Sequence, residues 1–414
     1  MSRAAMFTTR LRFLTAGESH GPSLTGVLEG MPAGLPLDEA AIARELGRRQ
    51  RGFGAGGRMK IESDHARLTA GVMAGRTTGG PIAFVVDNAD FANWRDRDVP
   101  PMTVPRPGHA DLTAALKYGY GDLRLGLERA SARETALRVA IGAVCRRLLA
   151  EFGVEVGGYV VQIGDVACAD AEPLVDRDLL RARFAAAEQS DVRCHDDRAA
   201  ERMRDAIART MRAKDTIGGV VEVAALGVPA GLGSHVQADR RLDARLAGAL
   251  MSVPAAKGVE FGCGFAVTER AGTAAQDELF RDGDALVRRT NRAGGVEGGI
   301  TNAAPVIARV AIKPIATTLA SLASIDLATG AEARTNYERS DFCQVPRAVP
   351  IAEAVLSIVL ADLLLDKLGG DSLDELRGRF AALRRPRLSD LRMQNTPWRF
   401  GYGGGGSGGG ESGS

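Results

Sequence analysis

Lysine is nearly missing from this chain of 414 residues: only six of its 53 basic side chains are lysine, and the rest are arginine. Acidic residues number 51, so the formal charge is only +2 and no whole-molecule field selects nucleic acid or a membrane surface. The five cysteines (Cys145, Cys168, Cys194, Cys263, Cys343) are odd in number and share no close spacing. With no CxxC or zinc pattern, reduced structural thiols are predicted and no metal is expected. HExxH is absent, which weighs against a zinc hydrolase. The first residues, MSRAAMFTTRLRF, contain no apolar core of signal-peptide length. The most apolar segment, Ala352–Leu368, is interrupted by Asp362 and Asp366 and reads as a buried helix rather than a span. A cytoplasmic protein without membrane partners is predicted.

No 20–50-residue repeat and no Pro/Ser linker divides residues 1–400, which predicts one integrated domain. Nine of the 51 glycines fall in the final segment, 401–414, a composition that cannot bury a core and predicts a disordered tail. Helical periodicity is clearest over Asp38–Arg51, Ser131–Phe152, Asp196–Ala213, Asp239–Met251 and Ile351–Leu368. Strand-like runs are Pro81–Val86, Val156–Gly164, Gly218–Val228, Gly258–Val267 and Val306–Pro314. Several follow one another without a helix between, which favours an α+β fold over a doubly wound sheet.

Six segments could carry chemistry. GESHG (Gly17–Gly21) places one of only five histidines between glycines, beside a carboxylate and a hydroxyl. GRRQRGFGAGGRMKIE (Gly47–Glu62) joins Arg48, Arg49 and Arg51 to a glycine loop and Arg58, a pattern suited to closing over a polyanion. VPRPGHAD (Val104–Asp111) holds Arg106 and His109 in a proline-stiffened turn. In LERASARET, Ser131 and Glu134 have capping-box spacing, so a helix is predicted to begin at Ser131 with an anion site flanked by Arg129 and Arg133. RSDFCQVPR brings Arg339 and Asp341 in front of a helix. NRAGGVEGGITNAAPV (Asn291–Val306) is glycine-rich but lacks the setting of a dinucleotide fold. Each segment alone is also consistent with capped helices, turns and salt bridges. His65, His195 and His235 read as surface or loop residues.

Taken together and in this order, GESHG, RPGHAD, RASARET, GGVEGGITN, KPI and RSDFCQVPR resemble the chorismate synthase family over roughly residues 10–385. The resemblance implies a β-α-β sandwich and a homotetramer whose flavin sites are partly built at subunit contacts. It implies anti-1,4-elimination of phosphate and a C6 proton from 5-enolpyruvylshikimate 3-phosphate. That reaction depends on reduced FMN, with NADPH entering only indirectly through a separate flavin reductase. His20 then matches the proton donor to the departing phosphate, and His109 the residue serving the reduced flavin near N1. Asp341 matches the carboxylate assisting flavin N5. Arg49, Arg106, Arg133 and Arg339 match substrate-binding positions. The flavin positions fall on Arg129, Ala130, Ser131, Pro254, Ala255, Ala303, Lys313, Pro314, Ile315, Ala316, Thr317 and Arg339. The chain departs from the usual pattern at Ala55, Pro254, Ala303 and Ala316, where arginine, an amide side chain, glycine and serine are usual. Two other classes stay open: a flavin reductase-type flavoprotein, though no extra nicotinamide domain is visible, and a nucleic-acid binder built on the arginine excess, against which the balanced charge argues.

Overall fold

The computed structural model describes residues 9–55, 64–169, 172–336 and 340–398. Arg58, Arg339 and the glycine-rich tail lie outside the described residues. Two antiparallel sheets enclose a helical layer. The first sheet contains β1 (Arg12–Ala16), β2 (Ser23–Glu29), β3 (Ala66–Ala70) and β4 (Ile82–Asp87), in the order β1-β2-β4-β3. The second contains β5 (Glu155–Ile163), β6 (Val166–Ala167), β7 (Gly219–Leu226), β8 (Ala256–Phe261) and β9 (Val306–Ile312), in the order β8-β9-β7-β5-β6.

Between them run α1 (Glu39–Gln50), α4 (Thr135–Ala150), α7 (Leu242–Met251) and α8 (Val345–Leu368). Short helices α2 (Asp111–Tyr118) and α3 (Arg124–Ala130) precede α4, and α9 (Leu373–Ala381) follows α8. Helix α4 packs on β2 and β4, while α8 packs on β5, β7 and β9, and the two helices lie against each other. The outer face of the second sheet is covered by α5 (Arg177–Gln189), and α6 (Asp197–Arg212) packs beside β5 and β6. This covering explains why β7 is buried on both faces: Val221, Val223 and Ala225 join the central core, while Ala224 and Leu226 pack under α5 with Tyr159 and Leu180. The predicted α+β class and the β-α-β layering are both present.

Most predicted elements form within a few residues of their expected ends, and three differ. Helix α8 begins at Val345, six residues before the predicted start. Pro346 occupies the first turn, where no N–H partner is needed, and Pro350 sits inside the helix at the cost of one backbone bond. The helix is long and apolar enough to cross a membrane (mean hydropathy 2.1), yet its apolar window is wholly buried in the protein. The strand predicted over Gly258–Val267 ends at Phe261, because Gly262 and Gly264 turn the chain at φ +57° and +52° into a 3-10 helix. The third is the capping box at Ser131, which does not form. Ser131 Oγ accepts from the Arg133 N–H within a 3-10 turn, Ala132–Glu134, and Glu134 is bound instead to Arg138 Nε (2.9 Å) and Thr15 Oγ1 (2.9 Å). A capping box does form at Ser372 and Glu375, at the start of α9.

Candidate active site

The loop between β1 and β2 carries His20. Gly17 opens it at φ +115°, and a Cβ there would meet Ser23 O at 2.6 Å, so only glycine lets the chain turn this closely. Asn88 Nδ2 ties the loop down through Gly21 O (2.7 Å) and Ser19 O (3.3 Å). One carboxylate then fixes the histidine twice. Glu128 of α3 accepts the His20 backbone N–H (2.8 Å) and contacts its Nδ1 (2.7 Å). The Trp94 ring lies 4.0 Å from the imidazole, centroid to centroid. Burial pushes Glu128 up, but hydrogen bonds from the His20 ring and amide, with the nearby charges of His20 and Arg124, hold it below its ordinary value. Glu128 thus remains an acceptor for Nδ1, leaving Nε2 for the ligand side.

His109 is positioned by the same logic. The turn VPRPGHAD leads into α2, whose first residue, Asp111, is fully buried. Asp111 accepts from Arg106 Nε (2.8 Å) and Nη2 (2.9 Å) and faces His109 Nδ1 at 2.5 Å. Burial pushes this carboxyl up, yet the hydrogen bonds from His109 and Arg106 outweigh it and keep Asp111 ionised. Arg106 also donates from Nη1 to Thr317 Oγ1 (2.9 Å), and Lys313 Nζ donates to Gly108 O. The stiff turn and the segment 313–317 are thereby stapled together.

These segments meet at a cavity of about 830 Å³. Its walls include His20, His109 and Asp341, the first and last of them more than 300 positions apart in the chain, with Arg106, Ala130, Ser131, Pro254, Ala255 and the whole run Lys313–Thr317. The volume lies within the roughly 300–1,000 Å³ of cofactor and small-molecule sites. Apolar Leu127, Pro254 and Ile315 stand beside cationic Lys313, Arg97 and Arg106, which fits a flat ring carrying a phosphate. Pro254 and Ala255 are the central residues of a turn closed by Ala256 N–H to Val253 O (3.0 Å), with Ala255 at φ +70°. Proline followed by a positive φ is the type II pattern, so Pro254 stiffens this wall where an amide side chain would project a polar group.

Asp341 is paired with Arg347, which also donates from Nε to Arg49 O (3.1 Å). Arg49, in the last turn of α1, and Arg133 are buried outside this lining and converge on buried Asp64. Arg49 Nη2 lies 2.6 Å and Arg133 Nη1 3.5 Å from its two oxygens. Burial first, then repulsion from Arg347 and Arg133, pull Arg49 below the ordinary arginine value against the opposing pull of Asp64. The guanidiniums of Arg49, Arg133 and Arg347 thus gather around Asp64 and Asp341 beside the cavity, side chains of the type that captures phosphate and carboxylate groups.

Two expected positions fall elsewhere within the chain. Arg129 is exposed and donates to Thr15 O (2.8 Å). Ala303 lines a separate cavity of about 770 Å³ with Arg177, Arg288 and Arg384. It adopts φ +72°, the left-handed conformation that favours glycine, so the departure from glycine there is strained. Arg339, expected to serve both ligands, lies outside the described residues. Sequence reasoning missed Glu128, Asp64, Trp94 and Arg347. Glu128 and Arg347 stood inside motifs already singled out, and Trp94 is one of only two tryptophans.

The fold and cavity define a class: an α+β protein whose cavity brings two carboxylate-held histidines together among cationic side chains. The sequence profile of the family described as chorismate synthase matches residues 11–365. A chorismate synthase from Syntrophotalea carbinolica is 52% identical over 382 residues, covering 90% of this chain and 97% of its own. One from Aquifex aeolicus is 49% identical over 386 residues, covering 89% and 96%. A crystal structure of a chorismate synthase matches with a TM-score of 0.75 at 42% identity, over 90% of this chain and 97% of that one. The chain belongs to the chorismate synthase family.

Proposed function

We propose that the protein converts 5-enolpyruvylshikimate 3-phosphate to chorismate by eliminating phosphate and the C6 proton, in a reaction that depends on reduced FMN. The observation that carries this reading is the meeting of His20, His109 and Asp341 at one cavity bordered by cationic side chains. The substrate carries a phosphate and two carboxylates, which match Arg106 and the neighbouring cluster of Arg49, Arg133 and Arg347. Ala130–Ser131, Pro254–Ala255 and Lys313–Thr317 would hold the flavin, with Lys313 offering the charge its phosphate needs. When bound, reduced FMN supplies the electron density that lets the allylic C–O bond break without net oxidation.

His20, its Nδ1 engaged by Glu128, delivers a proton from Nε2 to the phosphate as it leaves. His109, held by Asp111 through Nδ1, presents Nε2 as a proton donor to the cofactor side of the cavity. Asp341, positioned by Arg347, accepts the proton that originates at C6. The apolar wall from Leu127, Pro254 and Ile315 excludes water and strengthens each of these electrostatic contacts. NADPH enters only through a separate flavin reductase. We further propose a cytoplasmic homotetramer in which residues 1–400 act as one integrated domain.

The test is an anaerobic assay with purified protein and the enolpyruvyl substrate, with and without chemically reduced FMN. Chorismate is expected only with reduced flavin. His20→Ala should lower kcat by roughly 10²–10⁴-fold, the usual contribution of a general acid, with a much smaller change in substrate affinity. Turnover without flavin, or near-wild-type kcat in the variant, overturns the assignment.

A further inference from the structure

Outside the cavity lining, the structure assembles three side chains whose spacing in the sequence gives no sign of a site. Cys168 lies just beyond β6, at the edge of the second sheet, while Cys194 and His195 lie in the turn between α5 and α6. The two sulfurs are 3.3 Å apart, and one donor atom from each of the three residues fits within a 4.8 Å envelope. Both cysteines are free thiols. We propose that Cys168, Cys194 and His195 form a binding site for one thiophilic divalent cation of the zinc type.

The donor set selects the ion. Two thiolates and an imidazole are soft to borderline ligands, which favour Zn²⁺ over the oxygen-seeking Mg²⁺ and Ca²⁺. The spacing also fits. Tetrahedral zinc, with Zn–S near 2.3 Å and Zn–N near 2.0 Å, places its ligand atoms about 3.5–3.8 Å apart, between the observed sulfur separation and the outer envelope. A disulfide requires about 2.05 Å, so the sulfurs stand at the separation of two ligands rather than of a bonded pair.

The site is built on a rigid support. Cys168 N–H donates to Val161 O (2.9 Å), and Arg193 O accepts from Val160 N–H (2.8 Å), so both loops hang from neighbouring residues of β5. On the other side, Asp196 caps α6 immediately after His195, whose ring packs edge-on against Tyr159 at 4.8 Å. Cys194 is buried, while Cys168 and His195 are half-exposed, which leaves an approach for the ion and a fourth position for water. Binding releases two thiol protons to solvent and transfers no electrons. The same turn braces the end of α1, since Asp191 O accepts from Phe53 N–H (2.8 Å) and Arg193 Nη2 donates to Arg48 O (2.7 Å). A bound ion would therefore stiffen the support of Arg49 without entering the proposed chemistry.

The experiment uses the full chain, reduced and freed of metal by chelator, titrated anaerobically with Co²⁺ and then Zn²⁺. The expected result is a thiolate-to-cobalt charge-transfer band with visible tetrahedral cobalt bands, saturating at one equivalent per chain and bleached by Zn²⁺. His195→Gln keeps both sulfurs and should weaken cobalt affinity by about 10–100-fold. The Cys168→Ser/Cys194→Ser double variant should lose the charge-transfer band, whereas Cys263→Ser, at a thiol outside the cluster, should keep it. Absence of the band in wild-type protein, its persistence in the double variant, or an unchanged affinity in His195→Gln overturns the proposal. So does a Cys168–Cys194 disulfide in protein prepared under reduction.

Discussion

Glu128 makes two hydrogen bonds to a single residue, and both orient the ring assigned to give up a proton. Glu128→Gln should keep the shape of the loop while weakening that hold. A ring displaced by about 1 Å costs up to about 10²-fold in rate, so kcat is expected to fall with KM changing far less. The pH dependence of stability gives a second readout. Glu128 is held below its ordinary value of 4.5 in the folded protein. A lowered carboxylate adds stability that is complete above its unfolded value and is lost as pH falls through the folded one. The stability gap between wild type and Glu128→Gln, measured by urea unfolding, should stay constant down to about pH 5 and shrink below it. A gap that widens with acid would show that Glu128 is not the ionised partner of His20. At this scale the motifs marked His20, His109 and Asp341 as candidates, and it was the order of the motifs, through the family resemblance, that supplied their expected roles. Their partners were not legible. Asp64 meets Arg49 and Arg133 only after α1, β3 and α4 have been brought together, and no local pattern marks a carboxylate as shared.

Among the elements, the contact of α4 with α8 sets the thickness of the helical layer. Gly142 lies at that contact, where a Cβ would come within 2.4 Å of Ala354 Cβ and 2.6 Å of its Cα. Alanine at this position gains up to about 1 kcal/mol of helix propensity but must push one helix off the other. Overpacking of this kind costs about 1–3 kcal/mol, so Gly142→Ala is expected to be less stable than wild type. Gly378, in α9, has open space where its Cβ would go, and Gly378→Ala should gain roughly 0.5–1 kcal/mol. Opposite signs in thermal melts of the two variants would confirm the close approach; a stabilised Gly142→Ala would show that α4 and α8 have room to spare. Element positions were largely readable from periodicity, because α1, α4 and α6 each bury one face or nearly all of their length. Ends were less readable. Pro346 and Pro350 argue for a boundary that burial overrides, and Ser131 has the spacing of a cap whose partner, Glu134, is drawn away by Arg138.

For the molecule as a whole, one carboxylate links three distant parts of the chain. Asp362 projects from the C-terminal third of α8 and has no exposed surface. It accepts the backbone N–H groups of Thr9 (2.8 Å), Arg10 (2.8 Å) and Leu11 (2.7 Å), just before β1, and pairs with buried Arg245 of α7. In the sequence Asp362 only interrupts an apolar run, and nothing there reveals that its partners are some 350 and 117 positions away. The start of the first sheet and the helical layer are thus held together through one buried ion. Removing a single member of such a pair strands the other, at a cost of about 3–5 kcal/mol, and here three backbone donors are stranded as well. Asp362→Ala should lower the urea midpoint by that amount of free energy. Arg245→Met leaves Asp362 its backbone donors and should cost less. Combining the two substitutions should cost less than the sum of the single losses, because the guanidinium is then no longer left without its carboxylate. Full additivity would mean that the two side chains act independently, and a loss below about 1 kcal/mol in Asp362→Ala would mean that the N-terminal strand is held by its sheet contacts alone.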